Sequence, residues 1–290
     1  MSIYSGIAAT VVALIFYRLL QSKPIEYDQT VVIIGASDGI GREIAKLYAE
    51  RRSKLLLVSR SLSKLTEVQK ECLALGCISA DVLPLDVTVE SNCKLVRDKL
   101  TSCDVLVLCV GVLGIRVFGD LSPNEACEVA EKMVKTNVLS PVYMTSYLLD
   151  LLKQSKGRIV VVSSTAGELP APSRALYASS KFALSGFFKS LRIETQSSGV
   201  SVTIALPGTV ATSFRENALD LAYGTSSSSM TTKIEPSKVT PKSAAKLIVG
   251  AADSRSREVV FPYFYKLVML LSAVAPWLTD LLAKLKYGVK

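Results

Sequence analysis

Apolar runs of strand length, separated by segments of helical length, restrict the fold of this chain more than any other feature. The runs are Thr30–Ile34, Lys54–Val58, a weaker one from Ala80 to Leu85, Val105–Val110, Arg158–Val162, Ser201–Leu206 and the short Glu258–Phe261. They are continuous rather than alternating, which is the pattern of strands covered on both faces. Segments such as Arg42–Arg52 and Tyr177–Ser197 have helical length and polarity between them. Strand–helix alternation of this kind predicts an α/β architecture with a parallel, doubly wound sheet of about seven strands.

Composition narrows the chemistry. The chain has 290 residues, 49% of them hydrophobic and 20% charged, which excludes a disordered chain and fits one large domain with extra segments at its ends. It contains no histidine. Histidine-based catalytic triads, histidine proton shuttles and most catalytic zinc sites are therefore excluded. The six cysteines, Cys72, Cys77, Cys93, Cys103, Cys109 and Cys127, form no C-x-x-C pair, so they read as free thiols rather than a metal site or disulfide framework. The net charge of +9 comes without a Lys/Arg run or interleaved aromatic residues, which argues against nucleic acid and leaves an anionic cofactor or a membrane surface.

The first strand ends in Gly35-Ala36-Ser37-Asp38-Gly39-Ile40-Gly41, with a helix predicted to begin near Ile40. Glycines there permit a tight turn and close approach of backbone amides to a pyrophosphate, and the helix N-terminus adds N–H groups and partial positive charge. A glycine-rich turn alone is weak, but a strand before it and a helix after it make a dinucleotide-binding, Rossmann-type unit the expected reading. The second strand runs into Ser59 and Arg60. An acidic residue there suits an unmodified ribose; an arginine suits a 2′-phosphate, so NADPH/NADP+ is the expected cofactor, with Ser59 adding a hydroxyl.

Tyr177 and Lys181 form a Tyr-x-x-x-Lys pattern that places both side chains on one helix face, and Ser164 ends a strand thirteen residues earlier. With the glycine turn, this set resembles the short-chain dehydrogenase/reductase family over roughly residues 29–262. The resemblance implies Tyr177 as acid/base, Ser164 as hydrogen-bond partner of the substrate oxygen, and Lys181 as both ribose ligand and the ammonium that lowers the phenol's pKa. It also implies that Asn137 supports a proton-relay water. Asp86 and Val87 are implied to meet the adenine, Gly111 to belong to the cofactor site, and Pro207, Gly208, Val210 and Thr212 to line the nicotinamide and phosphates. Two departures stand out: Ile34 replaces the family's threonine, and Leu108-Cys109-Val110-Gly111 replaces Asn-Asn-Ala-Gly, removing a side chain that bridges strands.

The segment Ala178–Phe188 further resembles a membrane-anchored branch that includes 11β-hydroxysteroid dehydrogenase type 1, steroleosins and dehydrogenase/reductase family 7 members. That branch implies hydride exchange with a lipophilic ketone or alcohol such as a steroid, retinoid or sphingoid base. A 3-ketosphinganine-type reductase and a non-catalytic NADPH-binding scaffold remain the alternatives. Residues 28–262 are expected to form the catalytic domain. Met1–Tyr17 carries no charged side chain, and residues 1–22 are expected to form a single-pass anchor. Arg18 and Lys23 follow the span, placing the catalytic domain on the cytosolic side by the positive-inside rule, and the branch resemblance points to the endoplasmic reticulum. Residues 263–290 read as a basic, aromatic-rich amphipathic segment for a membrane interface or a homodimer contact. By analogy with the family, Phe214–Lys233 is expected to cover the substrate as a lid.

Overall fold

The computed structural model describes residues 25–215, 218–220 and 239–287. The expected anchor over residues 1–22 lies outside them, as does most of the expected lid. Among the described residues, no helix is long and apolar enough to cross a membrane.

Seven strands form one parallel sheet in the order β3-β2-β1-β4-β5-β6-β7. They are β1 (Thr30–Ile34), β2 (Lys54–Ser59), β3 (Ser79–Pro84), β4 (Val105–Leu108), β5 (Arg158–Val162), β6 (Ser201–Pro207) and β7 (Glu258–Phe261). The helices are α1 (Gly39–Ala49), α2 (Leu62–Ala74), α3 (Glu90–Asp98), α4 (Pro123–Val134), α5 (Ser140–Ser155), α6 (Ala175–Glu194), α7 (Pro241–Asp253), α8 (Phe264–Val274) and α9 (Pro276–Tyr287). The order reverses between β1 and β4, which makes the crevice beyond their carboxyl ends the natural ligand site.

The continuous apolar runs follow from burial on both faces. Val32 and Ile34 of β1 join a core with Cys93 of α3, Leu148 of α5 and Phe188 of α6. Val31 and Ile33 point the other way, into a core with Ile44 of α1, Val68 of α2 and Ile248 of α7. β3 is an edge strand with Asp81 and Pro84 exposed, and for that reason its run is the weakest in the sequence.

Between α4 and α5 the chain makes a π-helical turn, Lys135–Leu139. Pro141 has no N–H to offer the Asn137 carbonyl, so regular α-helical bonding cannot continue through this point. The Ser140 N–H instead reaches back five residues to the Lys135 carbonyl. Asn137 thus stands inside a long helical segment, not at a helix start. The tail is two helices, since Pro276 begins α9 directly after α8.

Candidate active site

The turn after β1 is shaped by what its glycines exclude. Gly35 has φ +87°, and a Cβ on it would stand 2.6 Å from the Cys109 carbonyl oxygen at the end of β4. A Cβ on Gly41 would meet the Gly35 carbonyl oxygen at 2.0 Å, so α1 can abut the turn only with glycine at that position. Asp38 caps α1, accepting from the Gly39 N–H at 2.7 Å. Its other oxygen accepts from Lys64 at 3.3 Å and from the Ser213 hydroxyl at 3.0 Å, which ties the segment after β6 across the mouth of the turn. Burial acts to raise the Asp38 carboxyl, but the Gly39, Ser213 and Lys64 contacts prevail and hold it below its ordinary value.

A cleft of about 800 Å³ runs along the carboxyl ends of the strands. It is lined by Gly35, Ser37, Asp38, Gly39, Ile40, Ser59, Arg60, Asp86, Val87, Gly111, Ser164, Tyr177, Lys181, Pro207, Gly208, Val210 and Thr212. Sequence positions more than 170 residues apart thus meet in one site. Two expected site residues do not line it. Gly41 lies behind the turn, where its lack of a Cβ matters for packing. Asn137 is fully buried: its Oδ1 accepts from the Val112 N–H at 2.7 Å, and its Nδ2 donates to the Val112 carbonyl and to Ser180 Oγ, both at 2.9 Å. This clamp holds the chain just beyond Gly111. It supplies support at the place where Leu108 and Cys109 replace asparagines, while Leu108 itself packs into the core.

Tyr177 stands in the first turn of α6, nearly buried and hydrogen-bonded to Ser164. Lys181, one turn on, is 3% exposed. Its Nζ donates to the Val162 carbonyl at 3.1 Å and lies 5.8 Å from the centre of the Tyr177 ring. The expected lowering of the phenol's pKa is not what this site shows. Burial pushes Tyr177 up to about 12, against smaller opposing effects of Ser164 and Arg174. Burial likewise pushes the Lys181 ammonium down to about 8. Both shifts have one cause, since a low-dielectric site disfavours whichever form is charged.

Sequence reasoning missed several residues here. Lys64 lines the cleft four residues after Arg60, a spacing that could have flagged it. Ser180, which holds Asn137, could have been noticed beside Lys181. Phe214 meets the Tyr177 ring edge-on at 6.4 Å, and no sequence signal marks it.

The residues present fit a dinucleotide: a glycine turn that a Cβ would obstruct, a helix start lining the cleft, an exposed Arg60 at one end and a buried ammonium at the other. Comparisons with known proteins agree. The model of the short chain dehydrogenase family matches residues 29–220. The chain belongs to the short-chain dehydrogenase/reductase family. It is 35% identical over 262 residues to hydroxysteroid 11-beta-dehydrogenase 1-like protein A of Xenopus laevis, covering 88% of this chain and 84% of that protein. It is 33% identical over 273 residues to 11-beta-hydroxysteroid dehydrogenase-like 4A of Arabidopsis thaliana, covering 90% and 88%. Among solved structures, an alcohol dehydrogenase of Thermococcus sibiricus complexed with 5-hydroxy-NADP matches with a TM-score of 0.68 at 25% identity, covering 82% of this chain and 97% of that one. This short-chain dehydrogenase is accordingly an oxidoreductase of CH–OH and carbonyl groups.

Proposed function

We propose that the protein is an NADPH-dependent reductase of a carbonyl on a hydrophobic, steroid-, retinoid- or sphingoid-like substrate. The observation that carries this reading is the meeting of Ser164, Tyr177 and Lys181 in the cleft whose far end holds Ser59, Arg60 and Lys64. That far end suits a 2′-phosphate, which a bare ribose would leave unmatched. The bound dinucleotide supplies the hydride. Ser164 hydrogen-bonds the substrate oxygen. A phenol held near 12 keeps its proton at neutral pH and can donate it to the oxygen as negative charge develops there. The Lys181 ammonium then stabilises the phenolate left behind.

The wall beside Tyr177 is apolar, with Leu113 and Ala218 lining the cleft in front of a buried cluster that includes Val129, Met133 and Ala166. This favours a lipophilic body on the substrate. Membrane attachment belongs to the same reading. The uncharged stretch at residues 1–17 would anchor the chain, and α8 and α9 expose Leu267, Leu270, Val274, Trp277 and Leu285 beside basic Lys266, Lys284 and Lys286. Gly208 and Tyr265 pack together, so these helices stand next to the cleft and would receive substrate from the bilayer. Detergent-free membrane flotation of the full chain tests the attachment.

The activity is tested by NADPH oxidation with a panel of steroid ketones, retinal and 3-ketosphinganine. The expected result is turnover that Tyr177→Phe reduces roughly 10²–10⁴-fold while NADPH binding persists. Turnover unaffected by that substitution overturns the assignment.

A further inference from the structure

Arg174 is a residue in this cleft whose chemistry the reductase reading leaves unused. It precedes Tyr177 by three residues and lines the cleft beside it. Among the described residues no carboxylate pairs with it and no side-chain hydrogen bond is made, and its Nε is buried without a partner. Its guanidinium carbon lies 5.4 Å over the ring of Tyr287, a nearly buried residue of α9, which steers the head group. A partly buried guanidinium with unused donors is costly unless something accepts from it.

The surroundings favour an anion as that acceptor. Arg174 occupies the N-cap position of the twenty-residue α6 without making a side-chain cap, so the helix start adds partial positive charge. Arg116 lines the adjoining recess together with Arg174. The acid in that recess, Asp220, is already engaged: its Oδ2 accepts from the Ile115 and Arg116 N–H groups at 2.6 and 2.8 Å. Its Oδ1 is buried and makes no hydrogen bond among the described residues.

We propose that Arg174 is a specificity-determining residue which binds an anionic group, a carboxylate or phosphate, on the same molecule that presents its carbonyl to Tyr177. The substrate class is then an anionic keto-lipid: an apolar body against Leu113 and Ala218, a carbonyl at Ser164 and Tyr177, and an acid at Arg174. This rests on the reductase reading and deepens it. A planar guanidinium can grip such an acid through two parallel hydrogen bonds, which a lysine cannot reproduce.

The test uses the full chain with NADPH and a series of oxododecanoic acids, differing in carbonyl position, each beside its methyl ester. The best acid is expected to exceed its ester roughly tenfold or more in kcat/KM, with the difference in KM. Arg174→Met should raise the KM of the acid to that of the ester, and Arg174→Lys should restore part of the gap. Dodecanoate binding to the NADP+-loaded protein, set against methyl dodecanoate, reads the same preference without turnover. Equal KM values or equal binding of acid and ester by the wild type overturn the proposal, as does an Arg174→Met variant that loses acid and ester alike. Turnover that survives Tyr177→Phe would instead overturn the underlying reductase assignment, so the two failures are distinguishable.

Discussion

Two buried cations sit at opposite ends of β5, and they are treated differently. Arg158 begins the strand, 2% exposed, and its guanidinium meets both carboxylate oxygens of Glu26 at 3.1 and 3.3 Å, with Asp253 3.9 Å away. Asp253 is itself paired with Arg51 at 2.9 Å. Lys181 lies past the other end of the strand, equally buried, and donates to the Val162 backbone carbonyl. The first charge is compensated, which is what a structural cation requires. Among the described residues no carboxylate pairs with the second, burial pushes its ammonium down to about 8, and the site favours an incoming negative group. Placing an uncompensated charge costs stability, and such costs are found where function uses them.

The sharpest way to break this contrast is to remove each cation. Lys181→Met is expected to cut carbonyl reduction roughly 10²–10⁴-fold while leaving stability at neutral pH unchanged or higher, checked by NADPH oxidation and urea denaturation of the same preparation. Arg158→Met should do the reverse. Loss of about 1.5–3 kcal/mol in urea is expected as Glu26 and Asp253 lose their shared partner, with activity per folded molecule retained. If Arg158→Met proves the more damaging to catalysis, the distinction between the two cations fails.

A pH series sharpens the same point. Lys181 has an ordinary value of 10.5 when unfolded and about 8 when folded, so between these values the unfolded chain binds more protons. This group therefore raises stability as pH climbs through that window, by up to about 3 kcal/mol. Buried cysteines and Tyr177 act in the opposite sense at high pH, so the quantity to follow is the difference between wild type and Lys181→Met. Any excess stability of the variant at pH 7 should shrink toward pH 10. A constant difference would mean that Lys181 keeps its ordinary value in the folded state.

The smallest expected effect lies at the far end of the cleft. Arg60→Ala should raise the KM for NADPH roughly tenfold and leave that for NADH nearly unchanged. Equal changes in both would show that Arg60 does not discriminate the 2′-phosphate.

Much of the fold was legible because doubly covered strands write themselves as unbroken apolar runs, as at Val31–Ile34 and Ile159–Val162. The pairing of Tyr177 and Lys181 in the cleft was legible because they are local, one helical turn apart. Asn137 was expected in the site but lies behind the cleft as a clamp, which the sequence could not show, since its partners Val112 and Ser180 are 25 and 43 positions away. Arg174 stood in plain view in the sequence. Only its lack of an acid partner among the described residues makes it interesting.

The sequence by itself determined the strand–helix rhythm, the glycine turn and the identity of the groups in the cleft, because short-range sterics and periodic burial act within a few residues. Tertiary structure alone decided which cations find counter-charges, that Gly41 serves packing, and that the phenol of Tyr177 is pushed up rather than down. Burial and electrostatic partnership are set by residues distant in the chain, and no local pattern encodes them.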